Sequence, residues 1–162
     1  MSDCFRLIVQ KELVTRLVAK MPELADALFR GRSMFGENDP LPCGSLLEDP
    51  REFPVLQSNE GGGGHKSDWR LLLQGWVADD PANPTDPAHQ LAADYQKALG
   101  EIRAEVRADL ESALHPDRKI NLVTAILIGA PIVRPPDEFS SRAYCWLPLT
   151  LSLFEDPKRP FT

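Results

Sequence analysis

The chain has 162 residues, 43% of them hydrophobic, a length that suits one domain with a substantial core. Its formal net charge of −6 argues against a general nucleic-acid-binding protein, since such proteins contact phosphates through an excess of lysine and arginine. Residues 1–45 hold six basic and six acidic residues, so the acidic excess lies later in the chain. We therefore expect any charged partner to be cationic or neutral.

Three widely spaced cysteines, Cys4, Cys43 and Cys145, suit a reducing compartment and predict neither a disulfide framework nor a zinc site. The first residues show no secretory signal pattern. The longest apolar stretch, 122–133, falls short of the roughly 20 residues that span a bilayer. These features predict a cytoplasmic protein with no membrane contact.

The first predicted element is an amphipathic helix from Phe5 to Met21, where apolar residues recur every four positions and Pro22 ends the pattern. Residues 24–29 fit an extension of this helix, but residues 27–33 fit a short strand entering a loop equally well, and we favour the strand. A second weak strand is predicted at 41–48. A polar segment then leads to Gly61, Gly62, Gly63 and Gly64, which predict a flexible loop at about 56–65.

This glycine run resembles half of a phosphate-binding loop, with Lys66 and Ser67 in the places of the conserved lysine and hydroxyl. However, His65 stands where that motif requires glycine, and the run precedes a strand instead of opening a helix. A flexible loop is therefore the preferred interpretation.

The segment 66–114 forms the centre of the predicted fold. Alternating apolar residues over 66–77 predict a half-buried strand with Trp69, Leu71, Leu73 and Val77 on its inner face. An Asp/Pro-rich turn follows, and Asp86 is predicted to cap a helix that has Pro87 as its first residue. The helix buries one apolar stripe, which comprises Leu91, Tyr95, Leu99, Ile102, Val106 and Leu110.

Two long strands are predicted to end the fold. Residues 119–133 are apolar on both faces, which predicts a central strand covered twice, or covered once by the core and once by another subunit. Apolar residues recur at every second position over 141–155, which predicts a strand with one apolar face. Pro148 has no N–H to donate to a neighbouring strand, so this strand is expected at an edge or with a bulge. Residues 156–162 are predicted to be an extended tail.

Together these elements predict a single α+β domain. Its mostly antiparallel sheet of about four to five strands packs against an N-terminal helix and one long central helix. No catalytic or metal-binding motif is evident: the three histidines are isolated, and Asp79 and Asp80 resemble a calcium loop only in composition. We therefore expect a protein without cofactor or metal that is not an enzyme.

The order of elements resembles the tail terminator, or tail-completion, proteins of tailed bacteriophages and prophages. Three segments carry the resemblance: 29–32 (FRGR), 73–89 (LQGWVADDPANPTDPAH) and 146–157 (WLPLTLSLFEDP). The resemblance implies a subunit of a six-membered ring that ends tail-tube polymerisation and offers a surface for joining the head. It implies copies of itself, the tail tube and head-completion proteins as partners, and a location in the bacterial host cytoplasm during assembly and then in the virion tail.

Four aromatic residues are the candidates for contacts between ring subunits: Tyr144, Trp146, Phe154 and Trp76. The first three follow from an open edge strand with aromatic side chains on its second face, because aromatics are enriched in interface cores. The glycine run at 61–64 and the acidic residues Asp79 and Asp80 are candidates for partner contact. The alternatives are an unrelated cytoplasmic interaction module and an enzyme.

Overall fold

The computed structural model describes residues 2–50, 57–58, 65–108 and 121–161. Within these ranges the chain forms two α-helices and seven strands, so the predicted α+β class is confirmed. The helices are α1 (Phe5–Lys20) and α2 (Asp86–Ala108), with a short 3₁₀ turn at Pro22–Leu24. The strands are β1 (Leu28–Arg30), β2 (Cys43–Glu48), β3 (Gln57–Ser58), β4 (His65–Trp76), β5 (Leu122–Ile128), β6 (Ile132–Arg134) and β7 (Tyr144–Glu155).

The strands form one mostly antiparallel sheet in the order β1-β2-β4-β7-β5, with β3 added beside β4 and β6 added beside β7. Only the short β1–β2 pair is parallel. The two longest strands, β4 and β7, pair along all 12 residues of each, from His65 opposite Glu155 to Trp76 opposite Tyr144. This pair is the centre of the sheet and sets the positions of the loops at its two ends.

Both helices pack on one face of the sheet, as their apolar stripes predict. On α1 the residues at four-residue spacing from Phe5 to Leu17 are buried. On α2 the predicted stripe is buried as far as Val106, and Leu110 lies outside the described residues. The inner residues predicted for β4 are buried as well, so alternation and helical periodicity located the core correctly.

Ion pairs join the two helices at their solvent side. Glu105 of α2 accepts hydrogen bonds from Lys20 at 2.7 Å and from Arg16 at 3.0 Å, both on α1. The hydrogen bond from Lys20, and after it that from Arg16, lowers the pKa of the Glu105 carboxyl. Lys20 also lies 3.4 Å from Glu101, so these acidic residues of α2 contact α1.

The last long strand, β7, is inside the sheet, and its predicted position at an edge is wrong. One flank of β7 pairs with β4, and the other pairs with β5 and β6. Pro148 is accommodated because its N and O atoms face the gap between β5 and β6, where its carbonyl accepts a 2.8 Å hydrogen bond from the amide of Gly129. The missing N–H therefore costs no ladder hydrogen bond.

β5 lies at one edge of the described sheet, with β1 at the other, and pairs only with β7, so its predicted central position is wrong. The alternative, a strand with one face on the core and the other on another subunit, stays a prediction. A bulge between Val123 and Ala125 shifts the register, so that Val123 and Ile126 both face the core. The side chain of Leu127 remains 53% exposed. Apolar residues on both faces of β5 thus occur in an edge strand, whose outer face leaves Leu127 exposed.

The segment 156–161, predicted to be extended, bends in turns beside the start of α1. The buried side chain of Asn121 holds it, donating to the carbonyl of Arg159 at 2.9 Å and accepting from the amide of Asp156 at 2.7 Å. The carbonyl of Pro160 accepts a 2.7 Å hydrogen bond from the amide of Phe5. Of the predicted flexible loop at 56–65, the run Gly61–Gly64 lies outside the described residues.

Candidate interaction surfaces

The face of the sheet opposite the helices carries an apolar groove. Side chains alternate along β4 and β7, so that every second one points away from the core. The groove has a volume of about 520 Å³. Its apolar lining includes Leu47, Pro50, Leu72, Ile132 and Trp146. An open apolar concavity on a sheet face is typical of a protein-interaction site.

Two of the four predicted interface residues lie half-exposed on this outer face. Trp146 lines the groove, and Phe154 lies at the far end of β7, in register between Lys66 and Leu122. Both are held by an interior strand, so they offer a partner their side chains on the face of the sheet. They do not offer the open strand edge that the sequence predicted.

The other two predicted residues are covered by loops of the same chain. Tyr144 is 5% exposed, and its hydroxyl donates a 2.8 Å hydrogen bond to Oδ2 of Asp137. Trp76 stacks against Phe35, with 4.2 Å between the ring centroids. Tyr144 is therefore not available to a neighbour, and Trp76 presents only part of its ring.

The loop that covers Trp76 is held in place by Arg32. The guanidinium of Arg32 lies 4.7 Å from the ring centroid of Phe29 and 4.4 Å from that of Phe35. Its Nη2 donates to both carboxylate oxygens of Asp39 at 2.8 Å. The backbone amide of Gly36, and after it Arg32, lowers the pKa of Asp39. These contacts fix residues 31–42 as an ordered arm over the sheet.

A second concavity lies beside this arm, at the end of the sheet where β4 stops and β7 starts. We call it the end cleft; its volume is about 340 Å³, and residues of the 31–42 and 135–143 connections line most of it. Met34 and Phe139, which are 82% and 83% exposed, stand on its two sides, and Glu37 and Arg142 supply charge. Sequence reasoning missed this cleft, because its only local signal is a large apolar residue within each of two polar connections.

The acidic residues predicted to contact a partner have different surroundings. Asp80 is used in a turn, since its Oδ1 accepts hydrogen bonds from the amides of Ala82 at 3.0 Å and Asn83 at 3.1 Å. Asp79 is exposed to solvent. Among the described residues, no group of three or more His, Cys, Asp or Glu side chains is placed to hold a metal ion.

The two buried cysteines are poor nucleophiles. Burial raises the pKa of Cys43 to about 11 and that of Cys145 to about 12. Both therefore remain thiols at neutral pH, whereas the thiolate is the reactive form. These cysteines contribute to the packing of the core, where each is fully buried.

The sequence matches no protein-family model, and no curated protein matches it. In the part of the chain that the structure describes, neither helix combines the length and the apolar character required to cross a membrane.

Proposed function

We propose that this protein is a structural subunit that assembles with copies of itself into a ring at the end of a bacteriophage tail tube. There it ends tube polymerisation and offers the surface to which the head is joined. The similarity of segments 29–32, 73–89 and 146–157 to tail terminator proteins supports this role. The structural observation that carries it is the apolar groove at Trp146, on the sheet face opposite the two described helices.

A closed ring requires a heterologous interface, in which one patch of a subunit meets a different patch of the next. The groove supplies an apolar patch on the sheet face. The edge of β5, with Leu127 exposed, supplies a different patch, where no other described strand pairs with its outer flank. Two unlike surfaces on one subunit favour a ring over a symmetric dimer.

The alternative is a cytoplasmic interaction module that binds one partner segment. The same groove favours this alternative, because its volume lies within the range of about 300–1,000 Å³ common for ligand pockets. The two functions differ in stoichiometry: a module binds one segment per chain, whereas a ring subunit contacts two copies of itself. Neither role requires catalysis.

Electron microscopy of the protein mixed with purified tail tubes tests the proposal. We expect rings with six-fold symmetry at one end of each tube, and tubes of uniform length when the protein is present during polymerisation. Tubes that polymerise to the same lengths with and without the protein, and that carry no rings, would contradict it.

A further inference from the structure

The end cleft carries a small acidic excess. The two connections that line it, residues 31–42 and 135–143, hold four acidic residues and two arginines, a net charge of −2. Arg32 and Asp39 pair with each other, and Arg142 lies in the lining together with Glu37. Glu37 and Glu138 are exposed and raise the negative potential around the cleft. A cationic occupant is therefore favoured at this cleft.

The described part of the chain exposes five large hydrophobic side chains: Met34, Leu127, Ile132, Phe139 and Phe161. Two of them, Met34 and Phe139, flank the end cleft. Phe161, which is 58% exposed, directly follows Lys158, Arg159 and Pro160. Lys158 is exposed, whereas Arg159 lies 3.9 Å from the carboxylate of Asp156. The segment 158–161 therefore combines the cation of Lys158 with an exposed aromatic ring, which complements the acidic cleft and its apolar rim.

This segment cannot occupy the cleft of its own chain. The cleft lies where β7 begins, and the segment follows the end of β7, 12 residues later. At about 3.3 Å per residue this separation is roughly 35–40 Å. Asn121 and Phe5 also hold the segment at the far end of the sheet. Any contact between the two must therefore join different copies of the chain.

We infer that the segment 158–161 of one copy docks into the end cleft of the next copy. Phe161 inserts between Met34 and Phe139, while Lys158 faces Glu37 and the acidic connections. The cleft volume of about 340 Å³ suits one or two side chains. This inference rests on the proposed assembly of copies into a ring, and it names the contact that joins them.

The proposed contact lies next to the two surfaces already described, the groove at Trp146 and the edge of β5. Ser33 lines both the end cleft and the groove at Trp146, so the two concavities are neighbours. At the other end of the subunit, Asn121 connects the 156–161 segment to the start of β5. One interface can therefore join the cleft and groove of one copy to the segment and the β5 edge of the next. Because the patches differ, repetition generates a ring or a filament.

Cross-linking between copies tests the direction of docking. Two full-length variants, Ser141→Cys in the cleft lining and Pro160→Cys beside Phe161, keep both aromatic rings of the contact. They are made in a background with Cys4→Ser, because Cys4 is the one native cysteine that is not buried. A short bismaleimide linker is then added at high protein concentration. We expect a cross-linked dimer from the mixed pair and at least tenfold less from either variant alone. Equal yields from the mixed and the unmixed samples would overturn the inference.

A charge exchange tests the chemistry of the contact in the otherwise native chain. Lys158→Glu is expected to weaken self-association in sedimentation velocity by about fivefold, and Glu37→Lys to have a similar effect. The double variant should recover most of the loss. Lys97→Glu, an exposed charge reversal on α2, is the control and should change association less than twofold. Equal effects of Lys158→Glu and Lys97→Glu, or no recovery in the double variant, would contradict the proposed pairing.

Cross-linking and ring formation, measured together, distinguish a failure of this inference from a failure of the proposed function. Rings on tail tubes that form without a cross-link between positions 141 and 160 would overturn the contact and leave the function standing. Cross-linked chains that form no ring on tubes would contradict the function and retain the contact. Binding of an unrelated basic peptide in the cleft, without cross-linking between copies, would assign the cleft to another protein and overturn the inference.

Discussion

The hydroxyl of Tyr95 on α2 donates a 3.0 Å hydrogen bond to the carbonyl oxygen of Gln74 on β4, beneath the helix. The ring reaches this depth because Gly44 and Gly75 lie opposite each other across the β2–β4 pair and leave space for it. Burial raises the pKa of Tyr95 well above its usual value, so the phenol remains a donor. This contact fixes α2 on the centre of the sheet.

We expect Gly44→Ala to lower the free energy of unfolding by about 1–3 kcal/mol, as is typical of an overpacked core. The added Cβ would overlap the Tyr95 hydroxyl and lie 2.6 Å from the carbonyl oxygen of Gln74, which belongs to the backbone and cannot easily move. Urea unfolding measures the change. Gly100→Ala is the control, since its Cβ meets no atom within 4 Å and alanine favours the helix by about 0.5–1 kcal/mol. Equal stability of the two variants would contradict the prediction.

The start of α1 is tied to the end of β7 by a two-point contact. Arg6 donates to both carboxylate oxygens of Glu155, with Nε at 2.9 Å and Nη2 at 2.8 Å. Ser67 donates to the same carboxylate at 3.1 Å, and the guanidinium lies 4.9 Å from the centroid of the buried Trp69 ring. The hydrogen bond from Arg6 to Glu155 is the main cause of a raised Arg6 pKa.

Because this pair is largely shielded from solvent, Glu155→Gln should destabilise the fold by about 1–3 kcal/mol in urea unfolding. The control is Lys11→Ala, which removes an ion pair with Asp3 that is more exposed on both sides. Exposed pairs contribute about 0–1 kcal/mol. A loss from Lys11→Ala as large as that from Glu155→Gln would show that shielding of the pair does not set its strength.

Trp146 is predicted to matter more for assembly than for folding. Its side chain is half-exposed in the groove, so Trp146→Ala should lower the melting temperature by only a few degrees, corresponding to about 1 kcal/mol. The number of rings on tail tubes should fall severalfold. Trp69→Ala is the matched control, because Trp69 is 1% exposed and its removal should cost about 3–5 kcal/mol. A large loss of melting temperature for Trp146→Ala with normal rings would contradict the role.

The loop at the end cleft should lose stability in acid. The hydrogen bond from Tyr144, followed by the amides of Phe139 and Ser140, lowers the pKa of Asp137. Since the folded pKa is below the unfolded value of about 3.9, the stabilisation is complete above that pH and is lost as the pH falls through the folded pKa. Melting temperatures of the wild type and Asp137→Asn should differ most above pH 4 and converge toward pH 2. A difference that stays constant with pH would contradict this assignment.

Local patterns were sufficient to predict most of the secondary structure. The four-residue spacing on α1 and the stripe on α2 identified both helices, because an amphipathic helix must bury one side. Alternation from Trp69 to Val77 identified the inner face of β4. The helix α2 begins at Asp86, one residue before the predicted start at Pro87. The carbonyl of Thr85 accepts the first helical hydrogen bond, from His89, so Thr85 takes the cap position predicted for Asp86.

The order of the strands could not be predicted from the same patterns. Pro148 indicated an edge for β7, but its backbone faces a break in the neighbouring strands, which lie 14 or more residues earlier in the chain. Apolar residues on both faces indicated a central position for β5, but a bulge at Val123 and an exposed Leu127 account for them at an edge. The position of a strand depends on distant partners, and its own sequence does not encode them.

The sequence by itself determined the α+β class, the two helices and the inner faces of the long strands, because burial of one side imposes a period that is visible in a short segment. Only the tertiary structure decided which strands lie at the edges of the sheet and which aromatic side chains remain exposed to a partner. It also placed Met34 and Phe139 at one cleft. These features depend on contacts between residues far apart in the chain. Such contacts form only when the strands assemble into the sheet and Tyr95 packs against Gly44 and Gly75.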